Sequence, residues 1–94
     1  MSLENAFFND NKEQGRFELH IDSKTAFIDY SDEGEKVILI HTEVPEELEG
    51  NGVAAALVER TFEYLEENGK KIVPSCSYVR VYLRKHKDWE RLVA

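Results

Sequence analysis

Hydrophobic and polar positions alternate along the first half of the chain. Arg16–Ile21 alternates polar and apolar residues, which is the period of a half-buried strand. Thr25–Tyr30 is rich in β-branched and aromatic residues and predicts a second strand. Val37–Val44 opens with four consecutive aliphatic residues, which predicts a third strand that is covered on both faces and therefore central. Together these segments predict an antiparallel meander over residues 16–44.

The pattern becomes helical after Gly50 and Gly52. Over residues 52–68, apolar side chains recur on one face and charged side chains lie mainly on the other, which predicts an amphipathic helix. A strand and two further helices are predicted after it. They are a short strand at Lys71–Pro74, a helix that begins at Ser75 or Cys76 and runs to about residue 85, and a terminal helix at Asp88–Leu92 with Asp88 as a candidate cap.

The order of the predicted elements is β-β-β-α-β-α-α. A strand–helix–strand crossover after a meander predicts an α+β fold, a mixed α/β sandwich in which helices cover the sheet. A chain of 94 residues has the length of one domain, so we expect a single domain over residues 1–94. Residues 1–13 show little pattern beyond Phe7-Phe8 and are expected to form a loosely held arm.

Composition narrows the classes of partner. The net charge of −7 argues against non-specific binding to nucleic acid or to an anionic membrane, and it is compatible with a basic substrate. The single cysteine, Cys76, excludes an intrachain disulfide. No apolar run approaches the roughly 20 residues of a membrane span, and Met1–Glu13 lacks the features of a signal peptide. We therefore expect a cytoplasmic protein. A monomer or weak dimer is a separate expectation.

Gly50 and Gly52 stand between the predicted central strand and the long helix. A helix start exposes unpaired backbone N–H groups and the positive end of the helix dipole, which together form an anion site. A bare G-x-G is weak evidence, because a plain loop before an amphipathic helix has the same pattern. Ala55 replaces the third glycine of a dinucleotide fingerprint, and no Gly-Lys-Ser/Thr follows. A nicotinamide or nucleoside-triphosphate site is therefore less favoured than another pyrophosphate ligand.

Three segments in a fixed order make the sequence resemble the GCN5-related N-acetyltransferases. Their acetyl-CoA motif is Gln/Arg-x-x-Gly-x-Gly/Ala; Gly52 matches the required glycine and Ala54 matches the final Gly/Ala. Glu49 departs from the family at the Gln/Arg position, which affects a side-chain contribution but not the backbone. Short single-domain members also carry H-T-x-V before the glycine turn and P-x-C after it, and this chain has His41-Thr42-Glu43-Val44 and Pro74-Ser75-Cys76.

The resemblance implies a minimal version of that fold, acetyl-CoA as co-substrate, and an amine-bearing small molecule or protein as acceptor. It implies that backbone amides at the helix start hold the CoA pyrophosphate and that the pantetheine arm runs beside the end of the preceding strand. It also implies that the helices that help bind acceptors in larger relatives are missing, because only Asp22-Ser23 separates the first strands. The implied cofactor-binding residues are Glu43, Val44, Gly50, Asn51, Gly52, Val53 and Ala54.

Three side chains are candidates for chemistry, each with a structural alternative. Cys76 opens a predicted helix, where it could accept an acetyl group or act as a base, but a free cysteine is usually a small buried apolar residue. Tyr82 resembles the tyrosine that protonates the leaving thiolate in larger relatives, with Tyr78 one turn earlier, yet both could simply pack in the core. His41 could be a base near neutral pH or a hydrogen-bonded structural histidine.

Two functions of different class remain open. One is an acetyl-CoA-dependent acetyltransferase that acts on an amine. The other is a non-catalytic CoA-binding or protein-interaction module on the same scaffold, which Glu49 and the missing acceptor helices favour. The three histidines and one cysteine have no zinc-like spacing, so no metal is predicted.

Overall fold

The structure is a computed structural model that describes residue 3 and residues 5–94. In this part of the chain, five β-strands and two α-helices are joined by turns and two short 3₁₀ helices. The elements are β1 (Phe7–Asn11), β2 (Arg16–Ile21), β3 (Lys24–Asp32), β4 (Lys36–Glu43), a 3₁₀ helix (Glu46–Leu48), α1 (Val53–Glu67), β5 (Lys71–Pro74), α2 (Ser77–Lys85) and a second 3₁₀ helix (Lys87–Leu92).

The strands form one sheet in the order β1-β2-β3-β4-β5. Neighbouring strands from β1 to β4 are antiparallel. The last pair, β4 and β5, is parallel because α1 crosses between them. The predicted α+β architecture, a meander followed by a strand–helix–strand crossover and a C-terminal helix, is confirmed.

The hydrophobic core lies between one face of the sheet and the two helices. Alternate residues of the strands point into it, among them Leu19, Ile28 and Leu39, each at most 1% exposed. Leu57 and Phe62 of α1 enter the same core and are fully buried. The helices therefore rest on a continuous apolar surface, which fixes the position of α1 and α2 relative to β4.

The other face of the sheet carries no helix in the described part of the chain. The prediction that β4 is covered on both faces is therefore wrong: Val37 and Leu39 are buried, whereas Ile40 is 49% exposed. Successive strand residues point to opposite sides of a sheet, so an unbroken aliphatic run predicts burial on both faces. β4 lies between β3 and β5 and is therefore an internal strand, one place from the edge, but only one of its faces is packed.

A β-bulge in β4 changes which side chains face the core. Consecutive residues of β3 pair with His41 and with Leu39, so Ile40 is an extra residue without a partner. Strict alternation from Leu39 would turn His41 toward the helices. Because of the bulge, Thr42 takes that orientation instead and pairs with a fully buried residue of β3.

The expectation of a loosely held arm over residues 1–13 needs correction, because Phe7–Asn11 forms the edge strand β1. This strand pairs with β2 along its whole length. Asp10 fixes it further, since its carboxylate accepts hydrogen bonds from the hydroxyls of Tyr30 at 2.6 Å and Tyr64 at 2.8 Å. These partners are distant in sequence, so no local pattern marks the strand; residues 1, 2 and 4 lie outside the described part.

The helix ends lie close to the predicted ones. α1 begins after Gly52 and closes at Gly69 in a Schellman motif, in which two backbone amides bond carbonyls of the last turn. Cys76 is the N-cap of α2. The predicted terminal helix is a 3₁₀ helix, and its N-cap is His86 instead of Asp88. None of the described helices is long and apolar enough to span a bilayer.

Candidate functional site

A cavity of about 370 Å³ opens between the end of β4 and the start of α1. Its volume lies in the range of small-molecule sites. Five of the residues predicted to bind cofactor line it, namely Val44, Gly50, Gly52, Val53 and Ala54. The remaining lining residues are Thr42, Leu48, Glu49, Ala55 and Tyr78.

Two glycines shape the turn that enters α1. Gly50 has φ of 81° and Gly52 has φ of 74°, in the left-handed region that residues with a Cβ rarely adopt. A Cβ built on either glycine would meet no atom within 4 Å. The requirement for glycine is therefore conformational, and the space beside the backbone at both positions is open.

The first turn of α1 presents free backbone amides to the cavity. The first hydrogen bond into the helix runs from the Ala56 N–H to the Gly52 carbonyl at 3.0 Å. The amides of Val53, Ala54 and Ala55 therefore have no partner within the helix. The first turn contains no acidic residue, so no side-chain charge of α1 offsets the positive end of its dipole. The turn is suited to an anionic ligand.

Two predicted binding residues lie outside the cavity wall. Glu43 has a side chain 62% exposed, with Oε1 3.4 Å from Nε2 of His41. Asn51 donates its side-chain amide to the carbonyls of Leu48 at 3.4 Å and Glu49 at 3.3 Å. Asn51 therefore braces the loop, and only its backbone is free to take part in binding.

Cys76 lies directly behind the cavity wall. Its Sγ is 3.2 Å from Oγ1 of Thr42, which lines the cavity, and the thiol-bearing residue is 6% exposed. Its backbone N–H donates to the Leu39 carbonyl at 2.8 Å, which ties the start of α2 to β4. The candidate nucleophile is thus held at two points of one strand.

The surroundings of Cys76 favour its thiolate. Burial acts to raise the pKa of the thiol, but hydrogen bonding by the Thr42 hydroxyl and by the backbone amides of Val79, Tyr78 and Thr42 outweighs burial. The net effect holds the pKa of Cys76 below its usual value. Among the described contacts, the Thr42 hydroxyl is the polar side-chain partner of the Cys76 thiol.

The two tyrosines of α2 have different positions. Tyr78 lines the cavity and is 36% exposed. Tyr82 is buried away from the cavity wall, with its ring stacked on His86 at 4.1 Å and edge-on to Phe62 at 5.7 Å. Burial, followed by the nearby carboxylate of Glu59, raises the pKa of Tyr82 to about 12. The placement favours Tyr78 over Tyr82 as the hydroxyl next to a bound ligand.

His41 points away from the cavity. Its side chain is 57% exposed on the open face of the sheet, and the bulge in β4 accounts for this orientation. The structure therefore does not bring His41 together with Cys76 and Tyr78. In the described residues, no group of three or more His, Cys, Asp or Glu side chains is placed to hold a metal ion.

The sequence and the fold are both similar to those of known proteins. The model of the family described as GCN5-related N-acetyl-transferase matches residues 16–92. The chain belongs to this family. Its structure is similar to the NMR solution structure of a GCN5-like protein from Staphylococcus aureus that is proposed to be an N-acetyltransferase. The TM-score is 0.71 at 26% sequence identity, over 97% of this chain and 90% of that chain.

Membership of the N-acetyltransferase family confirms the resemblance based on the three sequence segments. The sequence nevertheless assigns no role to two residues of the site, Thr42 and Tyr78. Thr42 belongs to the H-T-x-V segment, but strict alternation along the strand predicts that it faces away from the helices. The bulge that reverses this orientation is not visible in the sequence. The sequence favours Tyr82, through its resemblance to the family tyrosine, over Tyr78, which lies one turn earlier on the same helix face; the structure instead places Tyr78 at the cavity wall.

Proposed function

We propose that this N-acetyltransferase-family chain transfers the acetyl group of acetyl-CoA to an amine. The observation that carries the proposal is the cavity itself, which joins the free amides of the first α1 turn to the wall behind which Cys76 lies. One end is suited to a pyrophosphate and the other to a thioester. The expected acceptor is an amine on a small molecule or a protein.

The binding half of the proposal rests on backbone groups. The amides of residues 53–55 would hold the pyrophosphate, with the open backbone of Gly50 and Gly52 allowing close approach. The pairing of β4 with β5 ends at Leu39 and Pro74, so the last residues of β4 have no β5 partner on that side. Their main-chain groups are available to the amides of the pantetheine arm, beside Val44.

The chemical half rests on Cys76. In the proposed step, its thiolate attacks the thioester carbonyl carbon, a new S–C bond forms, and the C–S bond to CoA breaks. CoA leaves as a thiolate and takes up a proton, for which the cavity-lining hydroxyl of Tyr78 is a candidate donor. The amine then attacks the carbonyl carbon of the acetylated cysteine, releases the Cys76 thiolate and gives up a proton, which restores the Tyr78 hydroxyl directly or through solvent. Thioester exchange of this kind is nearly balanced in energy because the bond broken and the bond formed are alike.

Calorimetry with CoA and with acetyl-CoA tests the binding half. We expect saturable binding of both ligands, and the absence of binding at millimolar ligand would reject the proposal. Intact mass spectrometry after exposure to acetyl-CoA tests the chemical half, with an acetyl adduct expected in the native chain and absent from Cys76→Ala. Ser77→Ala is the matched control, because it changes the neighbouring residue and leaves the thiol in place.

A non-catalytic CoA-binding module is the second candidate. It is favoured by the 6% exposure of Cys76, which does not itself line the cavity, and by the carboxylate of Glu49 at the wall. Binding of CoA without acetyl transfer across a panel of amines and peptides would support this alternative. Turnover that is unchanged in Cys76→Ala would instead indicate direct transfer from acetyl-CoA to the amine.

A further inference from the structure

Thr42 connects the cavity with the candidate nucleophile. Its side chain lines the cavity, and its Oγ1 lies 3.2 Å from Sγ of Cys76 across 34 positions of sequence. In the thiol form, either atom can donate the hydrogen bond. A thiolate can only accept, whereas a hydroxyl keeps its donor, so ionisation of Cys76 fixes the bond in the direction from Thr42 to sulfur.

The bulge in β4 is what brings Thr42 to this position. Leu39 lies before the bulge and Thr42 lies after it, and both bond to Cys76, through a backbone carbonyl and a side chain respectively. The extra residue, Ile40, lets both residues face the helices although they are three positions apart. Bulges of this kind re-aim side chains and are common beside active sites.

The orientation of the Thr42 hydroxyl is restricted on two sides. Thr42 is β-branched, so its χ1 has few accessible rotamers in a strand. Its backbone pairs with Ile28 of β3, whose side chain is fully buried, so the strand has little freedom to shift at this point. The Thr42 oxygen is therefore already in place when the thiol ionises, and only its proton has to point toward the sulfur.

We propose that Thr42 is a positioning residue for Cys76, donating its hydroxyl proton to the ionised sulfur and holding that sulfur at the wall of the cavity. The inference rests on the proposed acyl transfer, because it assigns Thr42 a role in preparing the nucleophile of that reaction. Thr42 acts through Cys76 and not on the acetyl group.

Alkylation of the thiol measures this role directly, because Cys76 is the only cysteine in the chain. The rate of reaction with iodoacetamide would be followed across pH in the native chain, in Thr42→Val and in Thr42→Ser. Valine has the shape of threonine without the donor, and serine retains the hydroxyl. We expect Thr42→Val to raise the midpoint of the pH profile by about one unit, a tenfold change in ionisation, and Thr42→Ser to stay near the native value.

The whole profile is needed because a more basic thiolate is also more nucleophilic, which partly compensates the rate at a single pH. Thr42→Ala is a second donor-free variant and replaces Thr42→Val if circular dichroism shows that the valine variant is unfolded. A donor-free variant with the native midpoint would overturn the proposal. An equal shift in Thr42→Ser would also overturn it, because the hydroxyl would then not be the cause.

The alkylation experiment contains no acetyl-CoA, so it separates this inference from the proposed function. Formation of the acetyl adduct of Cys76 would then be measured against pH in the same variants. A profile displaced in Thr42→Val by the same amount as alkylation supports a role in the transfer. If the alkylation profile is displaced but no acetyl adduct forms at any pH, the contact between Thr42 and Cys76 is supported and the role of Thr42 in catalysis is rejected.

Discussion

Gly52 offers a sharp test of the anion site because Gly69 is a matched control at the other end of α1. Their φ angles are +74° and +69°, and a Cβ added to either would have no atom within 4 Å. Gly52 lines the cavity, whereas Gly69 is an exposed residue of the helix C-terminus. Alanine at the two positions therefore imposes similar backbone strain, but only Gly52→Ala adds a methyl group to the cavity wall.

The expected size of each effect follows from this geometry. A left-handed alanine costs about 1–2 kcal/mol, and the reduced freedom of the unfolded chain offsets about 0.4–1 kcal/mol, which leaves a net loss of about 1 kcal/mol. For a chain of 94 residues, this loss lowers Tm by about 5 °C. At Gly52 the methyl group also separates the pyrophosphate from the helix amides, and losing one charge-assisted hydrogen bond weakens binding by at least about tenfold.

Thermal melting followed by circular dichroism and calorimetry with acetyl-CoA give the two readouts. We expect both variants to melt earlier by a similar amount, and only Gly52→Ala to lose affinity. Equal acetyl-CoA affinity in the two variants would refute the first turn of α1 as the pyrophosphate site. A decrease in Tm in only one of them would refute the assumption of matched strain.

Two further variants test charge at the cavity and the attachment of β1. Glu49→Arg should raise acetyl-CoA affinity by up to about tenfold at low salt and by less at high salt. A unit charge about 6 Å from a phosphate contributes about 0.7 kcal/mol in water, and the substitution replaces a repulsion of this size with an attraction. An equal gain in Glu46→Arg, which is not at the cavity wall, would contradict this. Asp10→Ala should lower the free energy of unfolding, measured in urea, by about 1–2 kcal/mol, because the hydroxyls of Tyr30 and Tyr64 lose their shared acceptor. If the effects of Asp10→Ala and Tyr64→Phe simply add, Asp10 and Tyr64 are not coupled and the reasoning is contradicted. Burial and the bond to Asp10 raise the pKa of Tyr30, and the bond to Asp10 and burial raise that of Tyr64. The hydrogen bonds of the two tyrosines therefore contribute fully to the free energy of unfolding below the unfolded pKa of about 10. This contribution is lost as pH rises through the folded pKa values, and Asp10→Ala should make the loss smaller.

The strands and helices with a strong local period were predictable from the sequence, and the elements held by distant contacts were not. The helix of residues 52–68 was predicted within a residue at each end, because its apolar face and its flanking glycines are local signals. β1 was missed because five residues of an edge strand carry little pattern, and Asp10 finds its partners 20 and 54 positions away. Local period identifies an element, whereas long-range hydrogen bonds decide whether an irregular segment is ordered.

The two halves of the candidate site differ in the same way. The anion-binding half is continuous in sequence, from Gly50 to Ala55, so its glycines and its helix start could be identified together. The chemical half joins Thr42 to Cys76 across the sheet and depends on one extra residue, Ile40, that strand alternation cannot reveal. For that reason the sequence favoured His41 as the side chain at the strand end, although the bulge turns it to the open face and places Thr42 beside the thiol. A single register shift thus decides which residue of the H-T-x-V segment can take part in the chemistry.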